Sequence, residues 1–113
     1  MKAGIDIVKI SRMSEAVANR VLGRQEKDVF DSLENKRRKM EFAAGRFAAK
    51  EAFVKASGRR DLEFSKIQFL VDEKGCPIPS EELKKLLGGE DLTVSISHER
   101  EYAVAVVILF GRG

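Results

Sequence analysis

The sequence predicts an α+β fold, with one long central helix against a small, mainly antiparallel sheet. Three observations point to it. Residues 36–57, KRRKMEFAAGRFAAKEAFVKAS, are rich in the helix formers Ala, Lys, Glu and Arg, and Gly58 follows as a C-cap. Residues 3–10, AGIDIVKI, combine β-branched side chains with alternation, the mark of a strand. After Gly58 the pattern changes to strands, so the apolar faces of helix and sheet must cover each other.

Taken in order, residues 3–10 form the first strand, with Asp6 and Lys9 as its polar members. Ser11 is placed to cap a short helix over residues 12–22, and Gly23 separates it from a second over about 25–33. The long helix runs from about Asn35 to Ser57. Residues 62–72, LEFSKIQFLVD, alternate only roughly, which predicts a strand bulged near Ser65 and Lys66. Glu73 to Pro77 is a turn. Ser80 caps a short amphipathic helix, SEELKKLL, ended by Gly88 and Gly89. LTVSISH and EYAVAVVILF are two strands of a hairpin turning at residues 98–101.

A chain of 113 residues is about one domain's worth, and it is read as a single unit spanning residues 1–113. At this size burial is modest, and association is a further source of stability. Lys and Arg outnumber Asp and Glu by 21 to 18, a net charge of +3 that is unevenly placed. Arg20, Arg24, the run Lys36-Arg37-Arg38-Lys39, Arg46, Lys50, Lys55, Arg59 and Arg60 all fall in the first 60 residues. Such a basic surface suits an acidic macromolecule or a polyphosphate, although any one of these charges also reads as a solvated helix face. The lone Cys76 excludes an intramolecular disulfide and a cysteine-ligated metal finger. No stretch is long and apolar enough for a membrane span, and Asp6 interrupts any signal-like segment, so a cytoplasmic protein is expected.

The central helix is apolar nearly all round, with Phe42, Ala49, Phe53 and Ala56 on one side and Ala44, Phe47, Ala48 and Val54 on another. Charges within it, Arg46, Lys50, Glu51 and Lys55, must then face a cleft, a partner subunit or each other, because unpaired burial costs several kcal/mol. Glu51 and Lys55 share a face at i, i+4, as any surface Glu–Lys pair does. Asp6 is a carboxylate inside an apolar strand, and on its own it reads as a solvent-side residue. Asp6 on a strand and Glu51 on a helix would also suit Mg²⁺ bridging a diphosphate, since this ion takes few protein oxygens and completes its octahedron with water and phosphate. His98, the only histidine, ends the strand LTVSIS and is fitted to bind a phosphate oxygen or move a proton, or to be merely exposed. No G-x-S-x-G elbow, P-loop or dinucleotide fingerprint is present.

With these residues in view, the sequence resembles the bacterial holo-acyl-carrier-protein synthases of the 4'-phosphopantetheinyl transferase superfamily. The matching stretches are GIDIV at 4–8, EFAAGRFAAKEAFVKA at 41–56 and VSISHEREYAVAVV at 94–107, in the family's order and near its spacing. The resemblance implies Mg²⁺-dependent transfer of phosphopantetheine from coenzyme A to a serine of an acidic acyl carrier protein, releasing 3',5'-ADP, in fatty acid biosynthesis. It implies Asp6 and Glu51 as metal ligands, Lys55 near the transferred phosphate and His98 at the coenzyme A phosphates. It implies coenzyme A contacts for Arg46 and Lys50, and carrier-protein contacts for Arg12, extended by Arg20 and Arg24. The proton acceptor stays open between Glu51, a metal-bound water and a carboxylate such as Asp28. The resemblance further implies a homotrimer with interfacial active sites. One departure is the short, basic loop Ser57-Gly58-Arg59-Arg60-Asp61, where the family has a longer glycine-containing one. Arg59 and Arg60 are then expected to supply charge to coenzyme A. Two other classes fit less well: a nucleic-acid module, motivated by the run at 36–39 but lacking an aromatic platform, and an idle scaffold, which would not need metal ligands.

Overall fold

The strand with apolar residues on both faces, YAVAVVILFG, takes the centre of the main sheet, where both its edges are paired. In the computed structural model, which describes residues 1–111, this strand β5 (Tyr102–Gly111) lies between β1 (Lys2–Lys9) and β4 (Glu90–His98). Both pairings are antiparallel, with Asp6 opposite Ala105 and Ala105 opposite Ile96. One face of this sheet carries Gly4, Asp6 and Val8, then Ala103, Ala105, Val107 and Leu109, and is covered by helix α3 (Lys36–Ser57). Around this core stand α1 (Glu15–Val21), α2 (Arg24–Ser32), a two-stranded ribbon of β2 (Phe69–Val71) and β3 (Pro77–Pro79), and α4 (Glu81–Leu86). The expected α+β architecture holds.

Helix ends follow local chemistry. The side chains of Ser14, Asn35 and Ser80 accept the N–H of Val17, Arg38 and Leu83, opening α1, α3 and α4. Gly58 closes α3 in the left-handed region, φ 72°, as its position in the sequence requires.

Two expected elements differ. The first helix starts later, at Glu15 behind Ser14, because Ile10–Arg12 form a 3₁₀ turn in which the Met13 N–H bonds the Ile10 carbonyl. The strand foreseen over 62–72 is reduced to Phe69–Val71. Phe64–Lys66 coil into a 3₁₀ turn instead, and the carbonyls of Phe64 and Ile67 turn inward to the buried ammonium of Lys50.

The helix lies unusually close to the sheet. A methyl group placed on Gly4 would sit 2.1 Å from the Ala52 carbonyl oxygen and 2.8 Å from the Ala56 nitrogen; one on Gly45 would meet Ile96 at 2.9 Å. Ala48, Ala49, Ala52 and Ala56 are buried along the same contact. Small residues on both sides let the backbones approach, and no rotamer change can relieve a clash with backbone atoms. Gly4→Ala is therefore expected to cost about 1–3 kcal/mol and to lower Tm by roughly 5–15 °C, read by circular dichroism. Ala3→Val, facing outward next door, is expected to change stability by no more than about 0.5 kcal/mol, and equal effects of the two would contradict this packing.

Candidate active site

The close approach carries Asp6 on β1 to the flank of α3 that bears Phe47, Glu51 and Lys55. Asp6, Arg12, Phe47 and Glu51 line one cavity of about 330 Å³. The Lys55 ammonium donates to Asp6 Oδ1 at 3.0 Å and to the Ile5 carbonyl oxygen at 3.0 Å. Lys55 thus reaches across to the strand rather than back to Glu51, its i, i+4 neighbour. Glu51 makes no hydrogen bond or ion pair among the described residues, so its carboxylate is available to a ligand.

A second cavity, of about 410 Å³, opens on the other flank of α3. Arg38, Glu41, Phe42 and Arg46 of the helix line it together with Ile96 and His98 of β4, and Val71 and Gly75 of the ribbon turn. His98 Nδ1 stands 3.8 Å from Glu41 Oε2, and Arg37 Nε reaches the same carboxylate oxygen at 3.6 Å. Arg46 lies over the Phe42 ring, 4.4 Å from its centre. It donates Nε to the Phe69 carbonyl at 3.0 Å and Nη2 to that of Leu70 at 3.3 Å. Burial pulls this guanidinium below its usual pKa, with the nearby Glu26 carboxylate acting the other way. A guanidinium has five N–H donors, so Arg46 keeps unspent ones for an anion in the cavity. Beside His98, Glu99 closes the hairpin by accepting the N–H groups of Glu101 and Tyr102, which hold its carboxyl below the usual range.

The two cavities are separate. Asp6 and His98 stand on the two edge strands, with β5 between them. One chain thus holds two cavities with chemistry, a carboxylate pair with Lys55 and Arg12, and a basic pocket with His98. Arg38 and Glu41 of that pocket were missed in the sequence, where they read as ordinary charges at the start of a helix. Their position only one or two turns before Arg46 on the same helix was the available signal.

Lys50 does not take the coenzyme A contact expected of it. It is fully buried, and its ammonium donates to Glu26 Oε1 at 2.5 Å, to the Phe64 carbonyl at 2.8 Å and to the Ile67 carbonyl at 2.6 Å. Three acceptors use all three donors of a charged ammonium, leaving none for coenzyme A. Burial pulls the Lys50 pKa down, while the Glu26 carboxylate raises it. Adjacent in sequence, Lys50 and Glu51 point about 100° apart around the helix, one into the interior and one into a cavity. Arg59 is also engaged locally, pairing with Asp61 at 2.9 Å and donating to the Leu86 carbonyl at 2.7 Å. The hydrogen bond between them raises the Arg59 pKa and lowers that of Asp61. Arg59 and Arg60 line neither cavity. Arg20 and Arg24 are exposed on α1 and α2, and Asp28 is exposed on α2 outside both cavities.

Against this geometry stand the comparisons with known proteins. Residues 2–107 match the family model described as the 4'-phosphopantetheinyl transferase superfamily. The chain is 39% identical over 111 residues to the holo-[acyl-carrier-protein] synthase of Petrotoga mobilis, covering 94% of this chain and 92% of the relative. It is 43% identical over 116 residues to that of Bacillus pumilus, with the same coverage of 94% and 92%. Its fold matches the crystal structure of a holo-(acyl-carrier-protein) synthase from Bacillus anthracis in complex with CoA (3',5'-ADP), with a TM-score of 0.82 and 35% identity over 98% of this chain and 96% of that one. The chain belongs to the 4'-phosphopantetheinyl transferase superfamily. Within it, the relatives it matches over nearly their full length are holo-[acyl-carrier-protein] synthases.

The interior role of Lys50 has a measurable consequence. Lys50→Met is expected to destabilise the fold by about 3–5 kcal/mol in urea titration, because it strands the Glu26 carboxylate in the core. The double change Glu26→Gln with Lys50→Met is expected to recover much of that loss. A double variant as unstable as the single one would contradict the pairing.

Proposed function

We propose that this chain is a holo-[acyl-carrier-protein] synthase that transfers 4'-phosphopantetheine from coenzyme A to a serine of apo acyl carrier protein, releasing 3',5'-ADP. The observation that carries the reading is the pairing of a carboxylate cavity at Asp6 and Glu51 with a basic pocket at Arg38, Arg46 and His98 in a chain of this superfamily. The serine hydroxyl passes its proton to the Glu51 carboxylate as its oxygen forms a bond to the β-phosphorus; the bond from that phosphorus to the bridging oxygen breaks, and 3',5'-ADP departs with the electron pair. Lys55 lies where its ammonium offsets charge gathering on the transferred phosphoryl oxygens. Arg46 and His98 hold the diphosphate and adenylate part by charge-assisted hydrogen bonds. Arg12, at the edge of the carboxylate cavity, faces the carrier protein, and the exposed Arg20 and Arg24 extend its basic surface. Such a field steers an acidic partner into the productive orientation.

Among the described residues no three His, Cys, Asp or Glu side chains converge on one point. The two carboxylates bordering one cavity nonetheless fit an ion that takes most of its ligands from water and phosphate, and the Lys55 ammonium on Asp6 and the Ile5 carbonyl marks a place that accepts a cation. Asp6 and Glu51 would hold Mg²⁺ there. When bound, it would neutralise developing charge on the diphosphate.

A homotrimer with active sites between subunits accounts for the separation of the half-sites. Ile5 and Ile7 on the outer face of the sheet are 61% and 63% exposed. Asp6 and Lys55 border a groove that reaches Ile5, Ile7 and Val104, and His98 borders another that reaches Ile7, Tyr102 and Val104. A neighbouring chain packed on this apolar face would bring its His98 pocket toward Asp6 and Glu51. None of the described helices is long and apolar enough to cross a membrane, and a cytoplasmic location remains the proposal.

The direct test is mass spectrometry of apo acyl carrier protein incubated with the chain, coenzyme A and Mg²⁺. The expected result is a mass gain of one phosphopantetheine, lost in Asp6→Ala and Glu51→Ala proteins that keep their circular dichroism spectra. No gain with any divalent metal would overturn the transferase reading, and full activity in either variant would overturn the metal assignment. Light scattering is expected to give the mass of a trimer for the native chain and a smaller species for Ile7→Glu. A native monomer with full activity would rule out the interfacial site.

A further inference from the structure

Glu26 lines neither of the two cavities, is fully buried, and has no part in the mechanism above. Its surroundings give it one nonetheless. In the ribbon, the Gln68 carbonyl accepts the Ser80 N–H at 2.9 Å and the Asp72 N–H donates to the Cys76 carbonyl at 2.9 Å. Bonding alternates along an antiparallel strand, so the N–H and carbonyl of Phe69 both point away from β3. Pro79, opposite Phe69, has no N–H to offer in any case. Two side chains take the place of a further strand at this edge. Glu26 Oε2 accepts the Phe69 N–H at 2.8 Å, and Arg46 Nε donates to the Phe69 carbonyl at 3.0 Å.

The carboxylate is itself held from three sides. Its Oε1 accepts the Gly23 N–H at 2.9 Å and the Lys50 ammonium, while Oε2 serves Phe69. The Gly23 backbone sits so tightly that a methyl group there would lie 2.3 Å from the Ser65 carbonyl oxygen. Gln68 adds a second tie, its Oε1 accepting the N–H groups of Gln25 and Glu26 at 2.9 and 3.1 Å. The start of α2 and the edge of β2 are therefore one rigid unit, and the Arg46 guanidinium is docked on that unit.

We infer that Glu26 is a positioning residue for Arg46: through the Phe69 peptide it holds the β2 edge at the place from which Arg46 presents its remaining donors to the His98 pocket. The inference rests on the reading of that pocket as the coenzyme A phosphate site. A glutamine at position 26 has one carbonyl oxygen for donors that now share two carboxylate oxygens, so it must release either Phe69 or the pair formed by Gly23 and Lys50.

The test is a double-mutant cycle on steady-state kinetics with Glu26→Gln, Arg46→Ala and both together. Glu26→Gln is expected to raise KM for coenzyme A about tenfold with kcat changed by no more than about twofold, and to add little once Arg46 is already Ala. If Glu26→Gln alone fails to fold, the same cycle run with Glu26→Gln and Lys50→Met combined, which leaves no buried charge stranded, is expected to show the same KM effect. An unchanged KM, or an equal KM rise with and without Arg46, would overturn the inference while leaving the function intact. An unchanged KM in Arg46→Ala itself would instead remove the phosphate-site reading, and the inference with it.

Discussion

The distance between α3 and the sheet governs everything else in this molecule. Gly4 and Gly45 leave no room for a side chain, and the alanines between Ala44 and Ala56 keep the helix seated on β1 and β5. Because the helix is this close, a residue as short as Asp6 can meet Lys55 and share a cavity with Glu51. A helix held off the sheet by leucines would leave a carboxylate on the strand short of both. Here packing and chemistry are the same contact.

That seating also decides what becomes of the charges on a helix with little free surface. They leave α3 in different directions. Lys50 goes inward to Glu26 and two carbonyls, where charge is fully matched by acceptors. Arg46 goes to the edge of β2 and on to the His98 pocket. Glu51 and Lys55 go to β1. No buried side-chain polar atom among the described residues lacks a partner, so each charge is retained at little unpaired cost. The basic pocket and the carboxylate cavity are consequences of this division, one on each flank of the helix.

Much of this was legible in the sequence, for identifiable reasons. The long helix, its closing cap at Gly58, and the β4–β5 hairpin come from local propensity and turn chemistry, which tertiary contacts did not override. Asp6 and Glu51 stood out as carboxylates on apolar elements, and the structure does bring them to one cavity. What was not legible depended on long-range partners. Phe64 to Ile67 has strand-like residues, yet it coils because its carbonyls serve Lys50, a residue many positions earlier. The same partners explain why Lys50, which sits in a motif with Glu51, takes no part in the cavity beside it. Arg38 and Glu41 gain their place in the pocket only when His98 arrives from the far end of the chain.

In the proposed assembly, the Asp6–Glu51 pair of one chain and the His98 pocket of its neighbour meet around coenzyme A. Anomalous diffraction at the manganese edge, from crystals of the native chain grown with coenzyme A and Mn²⁺, tests it most directly. The result expected is a single strong peak between the carboxylates of Asp6 and Glu51, touching a diphosphate whose far side is held by Arg46 and His98 of an adjacent subunit. A peak away from these carboxylates, or coenzyme A bound wholly within one chain, would contradict it.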